Sequence, residues 1–264
     1  MNVFKREVKA NLKSLLVWSI IVIIFVLLGI TEFSGYEGNP EMVEVINEMP
    51  DAFLEAFQMD AFNLTTITGF YGVMFTYFAL MATISAAMWG SDIISKEERD
   101  KTVEFALSLP ITREKLVSAK ILAAVVNCIA LLIVMWVASV ISALPYDPDS
   151  EFYEFLSLCM LALFVMQMVF LAVGVFLGCA MKQHKRAGSV AVSLLLVTYF
   201  MSVMSGLSKG LEFLKYFTPF KYFDPVMMLN ESRIDLGYVL LSCGIILVCI
   251  AGGYFTYARR DLYI

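Results

Sequence analysis

The chain has 264 residues, 60% of them hydrophobic and 16% charged, with a formal net charge of −5. A soluble domain carries about 25% charged residues, so this composition excludes one and points to a chain solvated largely by lipid. Five cysteines and a single histidine without close metal-ligand spacing exclude a zinc site, and the cysteines' placement inside apolar runs excludes a disulfide framework.

Residues 1–13 set Val3, Phe4, Val8 and Leu12 among Lys5, Arg6, Lys9 and Lys13, which predicts an interfacial basic helix in the headgroup layer before the chain turns into the bilayer. The apolar run at roughly 14–30 is long enough to span. No small-residue cleavage site follows Ile30, so the run is expected as a retained helix rather than a signal peptide. Residues 31–66 hold eight acids and no Lys or Arg. There Met42, Val45, Ile46, Met49, Phe53, Leu54 and Phe57 recur at helical spacing, with Pro50 as a break, predicting an external amphipathic segment capping the bilayer.

The second span, 67–91, carries Gly72, Thr76, Ala79, Thr83, Ala86 and Gly90 at steps of three and four, one stripe of small residues along a single helix face. Such a stripe lets helices approach closely, either within the chain or at a dimer or translocation surface. Residues 92–117 form a cytosolic loop. In the charged stretch 95–120, Lys96, Arg99, Lys101, Arg113, Lys115 and Lys120 alternate with Glu97, Glu98, Asp100, Glu104 and Glu114 ahead of and beyond Pro110. Mixed charge beside apolar residues suits docking to a protein partner, or a solvated loop that only fixes topology.

The third and fourth spans, 118–142 and 155–180, carry the two large polar residues expected at depth, Asn127 and Gln167, and the fourth holds the GxxxG pair Gly174 and Gly178. His184 lies in the basic turn after it and is expected to face headgroups. In the fifth span, 188–207, Thr198, Ser202 and Ser205 share a face that would wet a pathway or pack in the chain. Residues 208–236, broken by Pro219 and Pro225, read as an external aromatic-rich segment of short helices dipping into the outer leaflet. The sixth span is 237–257.

Of the 19 Lys and Arg residues, 15 lie in the N-terminal segment, the loop after the second span, the turn after the fourth and the C-terminus. Base-rich short loops stay cytoplasmic, so both termini are expected inside. No phosphate-binding glycine loop is present, which excludes ATP hydrolysis by that route. No carboxylate, Lys or Arg sits near the middle of a span, as an ion-coupled carrier would need. The energy for any transport must come from elsewhere.

The run Glu97-Glu98-Arg99-Asp100-Lys101-Thr102-Val103-Glu104, then Leu107 to Arg113 and Lys120, resembles the loop between the second and third spans of ABC-2 type permeases, with Lys101 where that family commonly has Gly. Met49 to Phe57 is similar to the family's first-loop pattern, Thr218 to Pro225 to its last-loop pattern, and Arg259-Arg260-Asp261-Leu262 to its cytoplasmic ending. The four occur in the family's order, so the resemblance covers the whole of residues 1–264 as a single transmembrane domain. It implies an all-α polytopic membrane protein with six transmembrane helices, the permease subunit of an ATP-binding-cassette exporter. It also implies a second permease subunit, identical or homologous, and two copies of a cytosolic ATPase subunit that hold ATP and Mg. Residues 92–117 would then be a coupling loop, with Glu97, Glu98, Arg99, Thr102, Glu104 and Arg113 docking the ATPase. This chain itself is expected to hold no cofactor or metal, catalyse nothing and bind no nucleic acid. It is expected as a multi-pass protein of the cell membrane. The expected translocation or dimer surface is Gly72, Thr76, Thr83, Thr198, Ser202 and Ser205. Amphipathic or apolar cargo (peptide, drug or lipid) fits the lining best, with metal or sodium ions open. A transport-inactive sensory or assembly protein and a channel are the alternatives.

Overall fold

Lipid offers no hydrogen-bond partner to a backbone, so every long apolar run must close its own ladder as a helix. The computed structural model describes residues 3–50, 54, 59, 61–99, 112–181, 183–207 and 209–259, and these form α-helices and 3-10 turns without a strand. The helices are α1 (Val3–Thr31), α2 (Pro40–Asn47), α3 (Ile67–Arg99), α4 (Arg113–Ala143), α5 (Ser150–Ala180), α6 (His184–Leu207), α7 (Pro219–Tyr222), α8 (Pro225–Glu231) and α9 (Leu236–Arg259). Six of them, α1, α3, α4, α5, α6 and α9, are long and apolar enough to cross a membrane. The chain is a multi-pass, all-α membrane protein.

Residues 3–13 are helical, but they are not a separate interfacial element followed by a turn. No Gly or Pro interrupts residues 3–28, so α1 continues unbroken through its 29 residues. At 1.5 Å per residue it is about 43 Å long, enough to cross the hydrocarbon core and both headgroup layers. The expected loop at 92–117 is likewise helical at both flanks. Helix α3 runs on to Arg99, and α4 begins at Arg113, where the Thr112 hydroxyl accepts from Lys115 N at 3.3 Å and caps the helix.

Between α1 and α3, α2 is capped by Asn39, whose side chain accepts from Glu41 N at 3.1 Å, and it ends at Asn47, ahead of Pro50. Ile46 and Leu54 are buried in the main core and Val45 is exposed, whereas Phe53 and Phe57 lie outside the described residues. Phe33 joins this region to the bundle, with ring centroids 5.4 Å from Phe70 and 5.0 Å from Tyr146. The aromatic-rich segment folds back into the bundle rather than lying on it. Phe220 meets Phe170 of α5 and Tyr199 of α6 at 5.6 and 5.5 Å. Phe170 is ten residues from the end of α5 at Ala180, about 15 Å along that helix, so α7 reaches at least to mid-bundle. On the exposed 3-10 turn Lys209–Phe217, a hydrogen bond from Lys215 holds the Glu212 carboxyl below its usual range.

Helices α3 and α5 make the centre. In the most apolar window of each span, 67% of α3 but only 11% of α9 is fully buried, so α3 is enclosed by protein while α9 packs one half-buried face on the bundle and turns the other outward. The close α3–α5 contact is made by glycines. A Cβ at Gly90 would collide with Leu171 O, one at Gly174 with Ala87 O, and one at Gly178 would lie 2.9 Å from Ser91 O. Helix α1 packs chiefly on α4, α9 on α5, and α6 on α3. Three buried hydroxyls of α3 are satisfied by their own helix: Thr83 donates to Ala79 O at 2.6 Å, Ser85 to Ala82 O at 2.7 Å and Ser95 to Ser91 O at 2.7 Å. They therefore leave little unpaired polarity.

Substituting Gly174 by Ala should lower the thermal midpoint of the detergent-purified protein, since overpacking costs about 1–3 kcal/mol. Gly244 of α9 has nothing within 4 Å of its added Cβ, so Gly244→Ala should leave the midpoint unchanged or slightly raised. Equal midpoints for both variants would contradict the glycine contact.

Candidate functional site

The N-terminal part of α1, the Arg99 end of α3 and the first turns of α4 meet at one end of the bundle. Val3 of α1 packs with Leu116 of α4. Glu7 of α1 is 1% exposed and forms ion pairs with Lys96 of α3 and, at 3.1 Å, with Arg6. Lys120 of α4 is also 1% exposed and donates to Ile93 O of α3 at 2.9 Å. Ser118 of α4 and Tyr254 of α9 share a hydrogen bond of 2.7 Å. Three helices are thus locked by charged side chains near the Arg99 end of α3 and the Arg113 start of α4.

Lys120, grouped by sequence with the solvated docking charges, belongs to this interior lock. It sits within the first turns of an apolar span, among Val117, Ile121 and Leu122, where its stem is buried and its ammonium must find a backbone carbonyl. Glu7 was not legible as a site residue. Its one signal is that it is the only acid in residues 1–13, among four bases. Of the expected docking residues, Glu97, Glu98 and Arg99 fall in the last turn of α3, and Arg113 is exposed at the first position of α4. Thr102 and Glu104 lie outside the described residues.

Beside the lock, a cavity of about 780 Å³ opens between α1, α3 and α6. Helix α1 contributes Ser14 and Trp18, and α6 contributes Gly188, Ser189 and Val192. From α3 come Met88, Ser91, Asp92 and Ser95, which share a face at helical spacing, together with Trp89. Trp89 Nε1 donates to Ser14 Oγ at 2.8 Å, fixing both side chains at the α1–α3 seam. Asp92 is the sole charged residue of this lining among the described residues and lies seven residues, about 10 Å, inside the Arg99 end of α3.

The stripe expected at a dimer or translocation surface packs within the chain. Gly72 is covered by the Phe62 ring, Thr83 is fully buried, Thr76 is half-buried, and Gly90 meets α5. On α6, Thr198 donates to Leu195 O and Ser205 to Ser202 O, both at 2.7 Å, while Ser202 is half-buried. Their hydroxyl hydrogens are committed to their own helix, and neither triad nor stripe joins the cavity. Asn127 and Gln167 are 1% and 0% exposed, and neither amide has a hydrogen-bond partner among the described residues. Each unsatisfied buried amide costs about 1–3 kcal/mol.

Residues 1–262 match the family described as ABC-2 family transporter protein. No curated protein matches the chain.

Breaking the buried pair from one side leaves a stranded charge, which costs about 3–5 kcal/mol. Glu7→Gln and Lys96→Met should therefore each lower the thermal midpoint strongly, and the double variant should lose less than the sum of the two. Strict additivity in that cycle would show that the two side chains do not interact.

Proposed function

We propose that this chain, which belongs to the ABC-2 transporter family, is the membrane-spanning permease subunit of an ABC exporter, driven by a separate cytosolic ATPase. The observation that carries this reading is the clamped end of the bundle. Residues 97–113 connect α3 and α4, and the Glu7–Lys96 and Lys120–Ile93 contacts hold the bases of both helices to each other and to α1. A push on that segment would be transmitted to three spans as a unit instead of being absorbed by a slack loop.

In this reading two permease subunits, identical or homologous, stand side by side with two ATPase subunits, which hold ATP and Mg. Closure of the ATPase pair draws the coupling segments together, and the spans exchange inward-open for outward-open arrangements. The unpaired amides of Asn127 and Gln167 support the existence of more than one packing of α4 and α5, since another register would let them find partners. The protein resides in the plasma membrane with its basic end and both termini in the cytoplasm, where loops rich in Lys and Arg are retained. Cargo is amphipathic, in keeping with a cavity walled by aromatic and aliphatic groups and lined by hydroxyls.

Single cysteines at Asn39, Pro148 and Lys215 should react with an impermeant thiol reagent in intact cells, and those at Asn11, Lys101 and Gln183 should not. The reverse pattern would invert the orientation.

Exposed ion pairs contribute only about 0–1 kcal/mol each, but several reversals together add like-charge repulsion. Glu97→Lys, Glu98→Lys and Glu104→Lys combined should abolish co-purification of the ATPase or uncouple hydrolysis from export. The matching reversal of Glu41, Glu44 and Glu48 at the opposite end should do neither. Normal export by the first triple variant would remove the docking role of this segment.

A further inference from the structure

We infer that the outer face of the first turns of α1 is a binding surface for an anionic phospholipid, with Lys5, Lys9 and Lys13 holding the headgroup and the apolar residues beyond them meeting the acyl chains. The three lysines are exposed, and none forms an ion pair or a hydrogen bond among the described residues. They follow one another at steps of four, each about 6 Å of rise and about 40° of turn, so they fall within an arc of about 80°. Val3 and Glu7, which pack on Leu116 and pair with Lys96, stand on the other side of the same turns. Glu7 is the one acid of α1, and it is turned inward.

Like charges four residues apart on a helix destabilise it, and here two such pairs share Lys9. An anion seated between the ammoniums relieves both. The continuation of the strip makes that anion part of a lipid. Leu16, Ile20 and Leu27 lie in the same arc and are 62%, 56% and 40% exposed, so the charged line runs straight into a surface that meets acyl chains. The change from charge to apolar surface also comes at the height where a bilayer makes it. From Ser14 to Ile30 the helix rises about 26 Å, close to the hydrocarbon thickness of about 30 Å. With Lys13 at the edge of the core, Lys9 stands about 6 Å beyond it, within a headgroup layer about 5–8 Å deep. Lys5 stands about 12 Å beyond, and its flexible four-carbon stem reaches back.

Phosphatidylcholine carries its own ammonium beside the phosphate and brings no net charge to the three lysines, whereas phosphatidylglycerol does. An acidic protein surface would match the lysines but not the apolar strip next to them. A headgroup held here braces the turns of α1 that carry the lock to α3 and α4. The surface is a property of this chain in a bilayer and stands apart from the permease reading.

The test is photo-crosslinking from benzoylphenylalanine placed at Leu16 of the purified chain, in nanodiscs of equal parts phosphatidylcholine and phosphatidylglycerol. Mass spectrometry of the crosslinked α1 peptide should show phosphatidylglycerol in at least about fivefold excess, an excess that shrinks as salt is raised. The same probe at Leu240, an exposed position near the start of α9 at the opposite end of the bundle, should capture the two lipids in proportion to their amounts. Lys5→Gln, Lys9→Gln and Lys13→Gln combined should bring the ratio at Leu16 down to that at Leu240, and the corresponding triple change to Arg should keep the excess. Equal ratios at Leu16 and Leu240 with the lysines intact, or an undiminished excess in the Gln variant, would overturn the surface. The first of these outcomes decides the matter if the Gln variant does not yield a monodisperse protein. Equal ratios at the two positions together with loss of ATPase co-purification in the Gln variant would assign the lysines to an acidic protein partner instead.

Discussion

The backbone contact between α3 and α5 is the constraint on which the other packing depends. In lipid there is no hydrophobic gain from bringing two apolar helices together, so association rests on close van der Waals contact and on hydrogen bonds across the seam. Gly90, Gly174 and Gly178 remove the side chains that would hold the helices apart, and carbonyls of Ala87, Leu171 and Ser91 occupy that space. With α3 and α5 so close, every other span is placed against this pair or against a helix that touches it. Helix α9 lies on α5, α6 on α3, and α4 bridges toward α1.

Polar groups in the bundle follow the same economy. Ser and Thr hydroxyls in α3 close on their own carbonyls, so the helix can be buried without importing partners. Between helices the polar contacts are few and placed at particular levels. Tyr71 and Ser139, both buried, join α3 to α4 at 3.0 Å about one turn from the end of the bundle opposite the bases, whereas Ser118–Tyr254, Lys120–Ile93 and Glu7–Lys96 all lie near the basic end. That end carries the charged contacts among α1, α3 and α4. In the proposed transport cycle it is the end on which the separate ATPase acts.

The last two turns of α3 serve several neighbours at once. Ile93 O faces α4, Ser91 O faces α5, and Asp92 lines the cavity beside α1 and α6. Consecutive residues of a helix point about 100° apart, so three successive positions can reach three different partners. In the proposed transport cycle this coupling has a mechanical consequence. Rotation of the end of α3 would move the docking segment, the α5 contact and the cavity wall together.

The sequence by itself determined the number and place of the spans, the all-α class and the segregation of charge to one end, because these follow from local hydropathy, helix periodicity and residue counts. It also isolated Asn127 and Gln167 as the large polar residues at depth. Which face of each helix meets protein was decided only by the tertiary structure. The small-residue stripe of α3 reads equally as an external seam or an internal one, and it is internal because a second glycine pair on α5 comes to meet it. Charge has the same ambiguity. Lys120 and Glu7 look like surface residues in a basic stretch, and they are buried because partners 27 and 89 residues away in the chain, Ile93 and Lys96, are brought beside them. By sequence, Asp92 falls in the expected loop at 92–117. Only the helical extension of α3 to Arg99 sets it in the wall of a cavity shared with two other helices, a placement that no local pattern encodes.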